Sequence, residues 1–281
     1  MGAARRLRPP DGRTRPAGTG DGYRDGRHPP VALSIGVPAG TFLAGLVGWR
    51  LAFAALTVIA FGLIGWILAA VPAFPGTGRG DRPSISRTLR LPGVAAILAV
   101  ILALVAAHNI VYSYIAPYLS AVSLGDRIDV VLLVFGAASL LSIWVTGALI
   151  DGHLRILMVA SAALFAVAMT MLAVVEEHAA LVFVAAGSWG LAFGGVATLV
   201  QTALAEAAGR AGDVAQSLSV VTWNVGMAAG GIAGGLVLTG WGPQSLPWTA
   251  AVLAVVSLVV VLFARTHGFR TRADRASGAR A

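Results

Sequence analysis

Eight long apolar stretches, separated by short polar breaks, fill residues 31–266. They run Val31–Gly48, Leu51–Val71, Pro92–Leu119, Val130–Ile150, Ile156–Val175, Ala179–Ala205, Val214–Leu238 and Pro247–Ala264. Each is near or above the ~20 residues that carry a helix across a ~30 Å hydrocarbon core. The pattern predicts an all-α, polytopic membrane protein with eight transmembrane helices. An even number of crossings puts both termini on one face.

The charges give that face a name. All 20 basic residues are Arg, and 18 of them flank the spans on one side, against Arg50 and Arg127 on the other. The positive-inside rule places the Arg-rich side, and with it both termini, in the cytoplasm. Glu176, Glu177 and His178 then fall outside. The predicted location is the inner or plasma membrane, with the lipid bilayer as the surrounding partner.

Composition narrows the function. A hydrophobic fraction of 57%, only 11% charged residues and a mean hydropathy of +0.83 exclude an ordinary soluble domain. The net charge of +8 resides in loops and tails, so it speaks for topology beside anionic headgroups and not for nucleic acid. The absence of Cys removes disulfides, thiolate metal sites and cysteine nucleophiles. No paired carboxylates, His-x-x-Glu-His or Gly-x-Ser-x-Gly pattern is present, so no catalytic residues, metal or cofactor are expected.

The chain divides into a basic Arg/Gly/Pro-rich segment (1–30), two helices (31–72), a basic cytoplasmic loop (73–91), six further helices (92–265) and a basic tail (266–281). Met1–Pro30 is too polar to order itself; it is expected to be a disordered tail or a misassigned start. Spans one and seven share a repeat at a constant offset of 190 residues: Gly36 with Gly226, Gly40 with Gly230, Gly45 with Gly235, Leu46 with Leu236 and Val47 with Val237. Glycines four residues apart let helix backbones approach closely in lipid, so Gly36, Pro38, Gly40, Gly226 and Gly230 are expected to form a helix-packing motif. Counterparts of the helices between Pro92 and Ala205 would fall before residue 1. The expectation is a chain carrying the last eight of twelve spans.

Four patches resemble the major facilitator superfamily, and within it the bacterial drug and arabinose efflux permeases. Gly36-Val37-Pro38-Ala39-Gly40 is similar to the antiporter motif of span five. Gly48-Trp49-Arg50, with Phe53, resembles the turn opening span six. Tyr112-Ser113-Tyr114-Ile115-Ala116-Pro117 resembles the span-seven signature. Gly147-Ala148-Leu149-Ile150-Asp151, followed by Arg155, resembles the loop between spans eight and nine, although Gly152 stands where the family usually has Arg. The resemblance covers about Val31–Ala264. It implies an incomplete two-bundle major facilitator fold, with proton-coupled efflux of a small drug- or sugar-like molecule by alternating access. The other function class is a non-transporting fragment or the membrane partner of another polypeptide. The sequence does not fix the oligomeric state.

Ionisable side chains deep in lipid are costly and mark function. Every Asp and Glu lies in a tail, a loop or a span end, and His108 alone sits well inside a span. It lies in the outer half of the Pro92–Leu119 span, ~24 Å along the helix. His108, Asn109, Tyr112 and Tyr114 form a polar cluster that either lines the central cavity, where it binds substrate or relays protons, or is structural, with His108 bonding a neighbouring helix and the Tyr residues in the outer aromatic belt. Asn224, near the middle of its span, serves as interhelical glue or as cavity lining. Trp189 and Gln201 pose the same choice, and the resemblance places their span on the cavity. Tyr118 is expected in the outer aromatic belt. In the turn containing Gly147, Asp151 and Arg155, the last two are either a cytoplasmic gate latch or a solvated turn in which Asp151 caps the next helix.

Overall fold

A computed structural model of the chain describes residues 49–70, 83–174, 178–265 and 268–269. Met1–Pro30, the first span with Gly36, Pro38 and Gly40, residues 73–82 of the loop and most of the tail lie outside the described residues. Among the described residues there are nine α-helices and no strand. They are α1 (Trp49–Ala70), α2 (Ile85–Leu89), α3 (Val94–Tyr112), α4 (Ile115–Ala121), α5 (Ile128–Val174), α6 (Ala179–Phe193), α7 (Val196–Ala208), α8 (Gly212–Trp241) and α9 (Ser245–Phe263). An apolar chain in lipid has no water to satisfy its amides, and a helix satisfies them within one segment.

Helix α3 is the centre of the packing. Val94, Ile97, Ile101, Leu104, Ala107 and Ile110 are fully buried, and both α8 and α9 lie against it. On the far side, α5 packs on α6, and α9 touches α5 as well as α3. Large apolar side chains face outward elsewhere, as Trp144 does at 70% exposure, which suits contact with acyl chains. The apolar window of α1 (Phe53–Ala70) is not buried by the described residues at all.

Several elements differ from the sequence pattern, each for a local reason. The stretch Pro92–Leu119 is not one continuous helix: it breaks after Tyr112, and α4 begins at Ile115. Pro117 is the cause, since its ring clashes with the carbonyl four residues back and it has no amide to donate to it. The stretch begins at a sharp turn in which Gly93 adopts φ 92°, a left-handed conformation that a residue without Cβ enters freely. Ala179–Ala205 is likewise interrupted, at Gly194–Gly195. The basic loop contains a short helix, α2, where Ser84 Oγ accepts from the amide of Arg87.

The spans Val130–Ile150 and Ile156–Val175 meet with little loop between them. Helical dihedrals run through Ile128–Val174 except at His153 (φ −129°, ψ 19°). In a straight helix Phe135 and Phe165 would stand ~45 Å apart. Instead, the Phe135 ring lies 4.6 Å from Trp189 and the Phe165 ring 6.0 Å from Phe193, and those partners are one turn apart on α6. The chain therefore doubles back at His153, and both halves of α5 flank α6.

Candidate substrate site

His108 and Tyr112 are four residues apart on α3 and so share a face. Their rings stack at 5.0 Å and 21°. Helix α6 presents Trp189 and Phe193 at the same spacing. Phe193 lies parallel to the His108 imidazole, with 3.9 Å between centroids and 2° between planes. Phe135 of α5 completes the group, 5.8 Å from His108 and 6.0 Å from Tyr112. Four rings from three helices thus converge on one histidine. Tyr112 remains 44% exposed, while Trp189 is fully buried.

One bond defines the chemistry of the imidazole. Trp189 Nε1–H donates to His108 Nδ1 at 3.2 Å. An indole nitrogen only donates, so Nδ1 must be an unprotonated acceptor. His108 is therefore neutral in this arrangement, with its hydrogen on Nε2. A proton can reach Nδ1 only if the indole withdraws, because two donors cannot face one another.

The other expected site residues separate from this group. Asn109 donates to Val105 O on its own helix at 2.9 Å. It sits at the α3–α8 crossing, where a Cβ on Gly230 would come within 2.8 Å of the Asn109 Cβ. Tyr114 donates to Gly231 O at 2.8 Å, and its ring fills the notch left by Gly234 and Gly235. Asn224 donates to Val220 O at 2.8 Å on its own helix and is exposed. Gln201 is exposed on α7. Of the expected residues, the structure brings together His108, Tyr112 and Trp189. Phe135 and Phe193 join them unforeseen; the four-residue spacing of Trp189 and Phe193 was a visible signal, whereas Phe135 carried none.

Glycines set how closely the helices meet. Gly226, Gly230 and Gly234 form a buried stripe on α8 facing α3. A Cβ at Gly226 would lie 3.0 Å from that of Val105, and one at Gly230 would lie 2.5 Å from Ala106 O. Tyr118 corrects the aromatic-belt expectation. It is 1% exposed and donates to Leu172 O at 2.6 Å, because the break above Pro117 turns its phenol into the bundle. In the His153 turn, Gly147 and Asp151 are exposed. Arg155 donates to Val261 O (3.3 Å), Leu262 O (3.2 Å) and Phe269 O (3.1 Å). Its guanidinium thus reaches across to the end of α9 and the turn beyond it.

The described architecture is that of a multi-pass helical membrane protein with polar groups enclosed between its spans. A family model described as Major Facilitator Superfamily matches residues 30–216 and again 128–280, so the chain belongs to that superfamily of membrane transporters.

Proposed function

We propose that the protein is a secondary active transporter that exports a small drug- or sugar-like molecule in exchange for protons. It would sit in the cell membrane with both termini in the cytoplasm. The observation that carries this reading is the aromatic group around a neutral, hydrogen-bonded His108. Flat apolar rings with one polar edge suit an amphipathic ligand. Tyr112, Phe135 and Phe193 supply the contact area, and the Nε2–H of His108 supplies a donor. The same histidine is the one ionisable side chain well inside a span, which makes it the candidate for proton coupling. Because protonation at Nδ1 requires Trp189 to leave, taking up a proton is tied to separating α3 from α6. A transporter needs such a link between an ion and a packing change. Asp151 and Arg155, at the turn between two spans, belong to the cytoplasmic gate in this reading.

The test is reconstitution of the chain into proteoliposomes under an imposed pH gradient, with ethidium and radiolabelled arabinose as probes. Movement of either probe driven by the gradient, and abolished by His108→Ala in protein of unchanged helicity, is the expected result. Equal movement with and without the gradient would remove proton coupling from the proposal. Unaltered transport by His108→Ala would remove His108 from the site. Orientation is checked separately: the chain has no Cys, so a single Cys placed at Arg210 should be labelled only from the cytoplasmic side.

A further inference from the structure

The interruption between α6 and α7 is built from a neighbouring helix. A continuous helix would bond Gly195 N–H to Leu191 O, four residues back. The ladder holds up to Gly194 N, which bonds Gly190 O at 2.9 Å, and is in place again at Leu199 N, which bonds Gly195 O at 3.1 Å. The bond from Gly195 N to Leu191 O is replaced. Ser142 of α5 donates its hydroxyl to Leu191 O at 2.6 Å and accepts from Gly195 N at 3.1 Å. A side-chain hydroxyl is thus spliced into the ladder, one of the recognised causes of a sharp helix kink.

The surroundings are shaped for this insertion. A Cβ at Gly190 would strike Phe135 O and lie 2.9 Å from the Cβ of Ala138. One at Gly194 would lie 2.7 Å from Ser139 Cα, and one at Gly195 would meet Thr146 Oγ1. The three glycines therefore allow α5 to come close enough for a short serine side chain to reach the α6 backbone. Ser142 and Thr146 are both buried. The spliced turn, Leu191 to Gly195, follows Trp189 and contains Phe193, the two α6 residues that contact His108.

We propose that Ser142 is a positioning residue whose hydroxyl holds the α6–α7 span bent and so sets Trp189 and Phe193 against His108. The span has two self-consistent ladders. With the hydroxyl inserted it is bent; with the hydroxyl withdrawn, Gly195 N–H closes directly onto Leu191 O and the span straightens. Gly195 N–H and Leu191 O have a partner in both, so exchange between them leaves neither group unpaired. The inference about the bend stands on its own, and only its consequence for substrate handling rests on the transport reading.

The test compares Ser142→Ala with Ser142→Thr, which keeps a hydroxyl, in the full chain. Cysteines replacing Ala148 and Ala205, both exposed, carry spin labels on α5 and α7 without background from native thiols. Straightening a kink of more than ~20° moves a label ten residues beyond it by about 5 Å. Ser142→Ala is expected to shift the Ala148–Ala205 distance by that amount, and Ser142→Thr to keep it. A second readout is the ¹⁵N spectrum of labelled histidine, with the His108 signal assigned through His108→Gln. Ser142→Ala should perturb that signal and Ser142→Thr should not. If Ser142→Ala yields no folded protein, Ser142→Cys replaces it, since a thiol is a poor bridge. An unchanged label distance in the hydroxyl-free variant overturns the bend. A shifted distance with an unchanged His108 spectrum overturns the positioning role. Neither readout requires transport, so failure of the export reading would leave this test intact.

Discussion

Trp189 and His108, 81 residues apart in the chain, are joined by one hydrogen bond from indole Nε1 to imidazole Nδ1 at 3.2 Å. The bond selects a single tautomer of the imidazole. Selective ¹⁵N-histidine labelling should therefore show His108 neutral, with the hydrogen on Nε2. Trp189→Phe keeps an aromatic ring beside His108 and Phe135 but removes the donor. In that variant both neutral tautomers should appear. A spectrum identical to that of the parent protein would mean that the indole does not hold the imidazole.

Tyr112 and Tyr114 belong to one sequence signature, yet they face different neighbours. Tyr112 stacks on His108 and is half-exposed, whereas Tyr114 bonds Gly231 O. Tyr112→Ala should reduce ethidium transport while leaving stability within ~0.5 kcal/mol, as for a surface substitution. Tyr114→Phe should do the reverse and lose ~0.6–2 kcal/mol, the range for an interhelical hydrogen bond in lipid. Transport assays paired with unfolding in mixed detergent micelles separate the two. Comparable transport losses in both variants would place Tyr114 in the site as well.

The span pattern was legible because lipid imposes it: Leu51–Val71 and Val214–Leu238 correspond closely to α1 and α8. What breaks the spans was legible only in part. Pro117 carries its own explanation in its ring, so the end of α3 at Tyr112 follows from sequence chemistry once proline is given weight. The break at Gly194 does not, because it needs the hydroxyl of Ser142, 53 residues away from the Gly195 amide it accepts from. The site shows the same division. His108 stands out as an ionisable group in an apolar run, and Trp189 and Tyr112 as polar-edged aromatics. Phe193 was marked only by its four-residue spacing from Trp189, and Phe135 looks like any apolar residue until its ring contacts with His108 and Trp189 are known. Asn109 was misleading because adjacency in sequence is a 100° rotation on a helix, which turns it from His108 toward α8.

Gly230 faces the backbone of α3, and a Cβ there would lie 2.5 Å from Ala106 O and 3.0 Å from Ala106 Cα. Neither atom can move without shifting the helix. Gly230→Ala should cost ~1–3 kcal/mol, as overpacking of a close interface does. Gly240 is the control: it lies on the same helix with nothing within 4 Å of its Cβ direction. Gly240→Ala should be neutral or stabilise by ~0.5–1 kcal/mol through reduced backbone entropy. The difference between these two variants in thermal unfolding measures the crossing itself, because both change the same residue type.

Arg155 spans three carbonyls at the end of α9 and in the turn that follows it, those of Val261, Leu262 and Phe269. The Val261 and Leu262 oxygens, in the last turn of α9, carry the negative end of its dipole, so a cation there is favoured electrostatically as well as by geometry. The planar fork reaches all three, whereas a lysine ammonium is a point donor that cannot. Charged hydrogen bonds are worth ~1.5–3 kcal/mol each when buried, and partial exposure reduces that. Arg155→Lys should lose about 1 kcal/mol and Arg155→Gln more, read as a fall in the thermal midpoint. Asp151→Asn discriminates the alternative. If Arg155 acts through the carbonyls of α9, that variant should stay within ~0.5 kcal/mol of the parent. If Asp151 and Arg155 instead latch as an ion pair in the state that sets stability, Asp151→Asn should fall as far as Arg155→Lys.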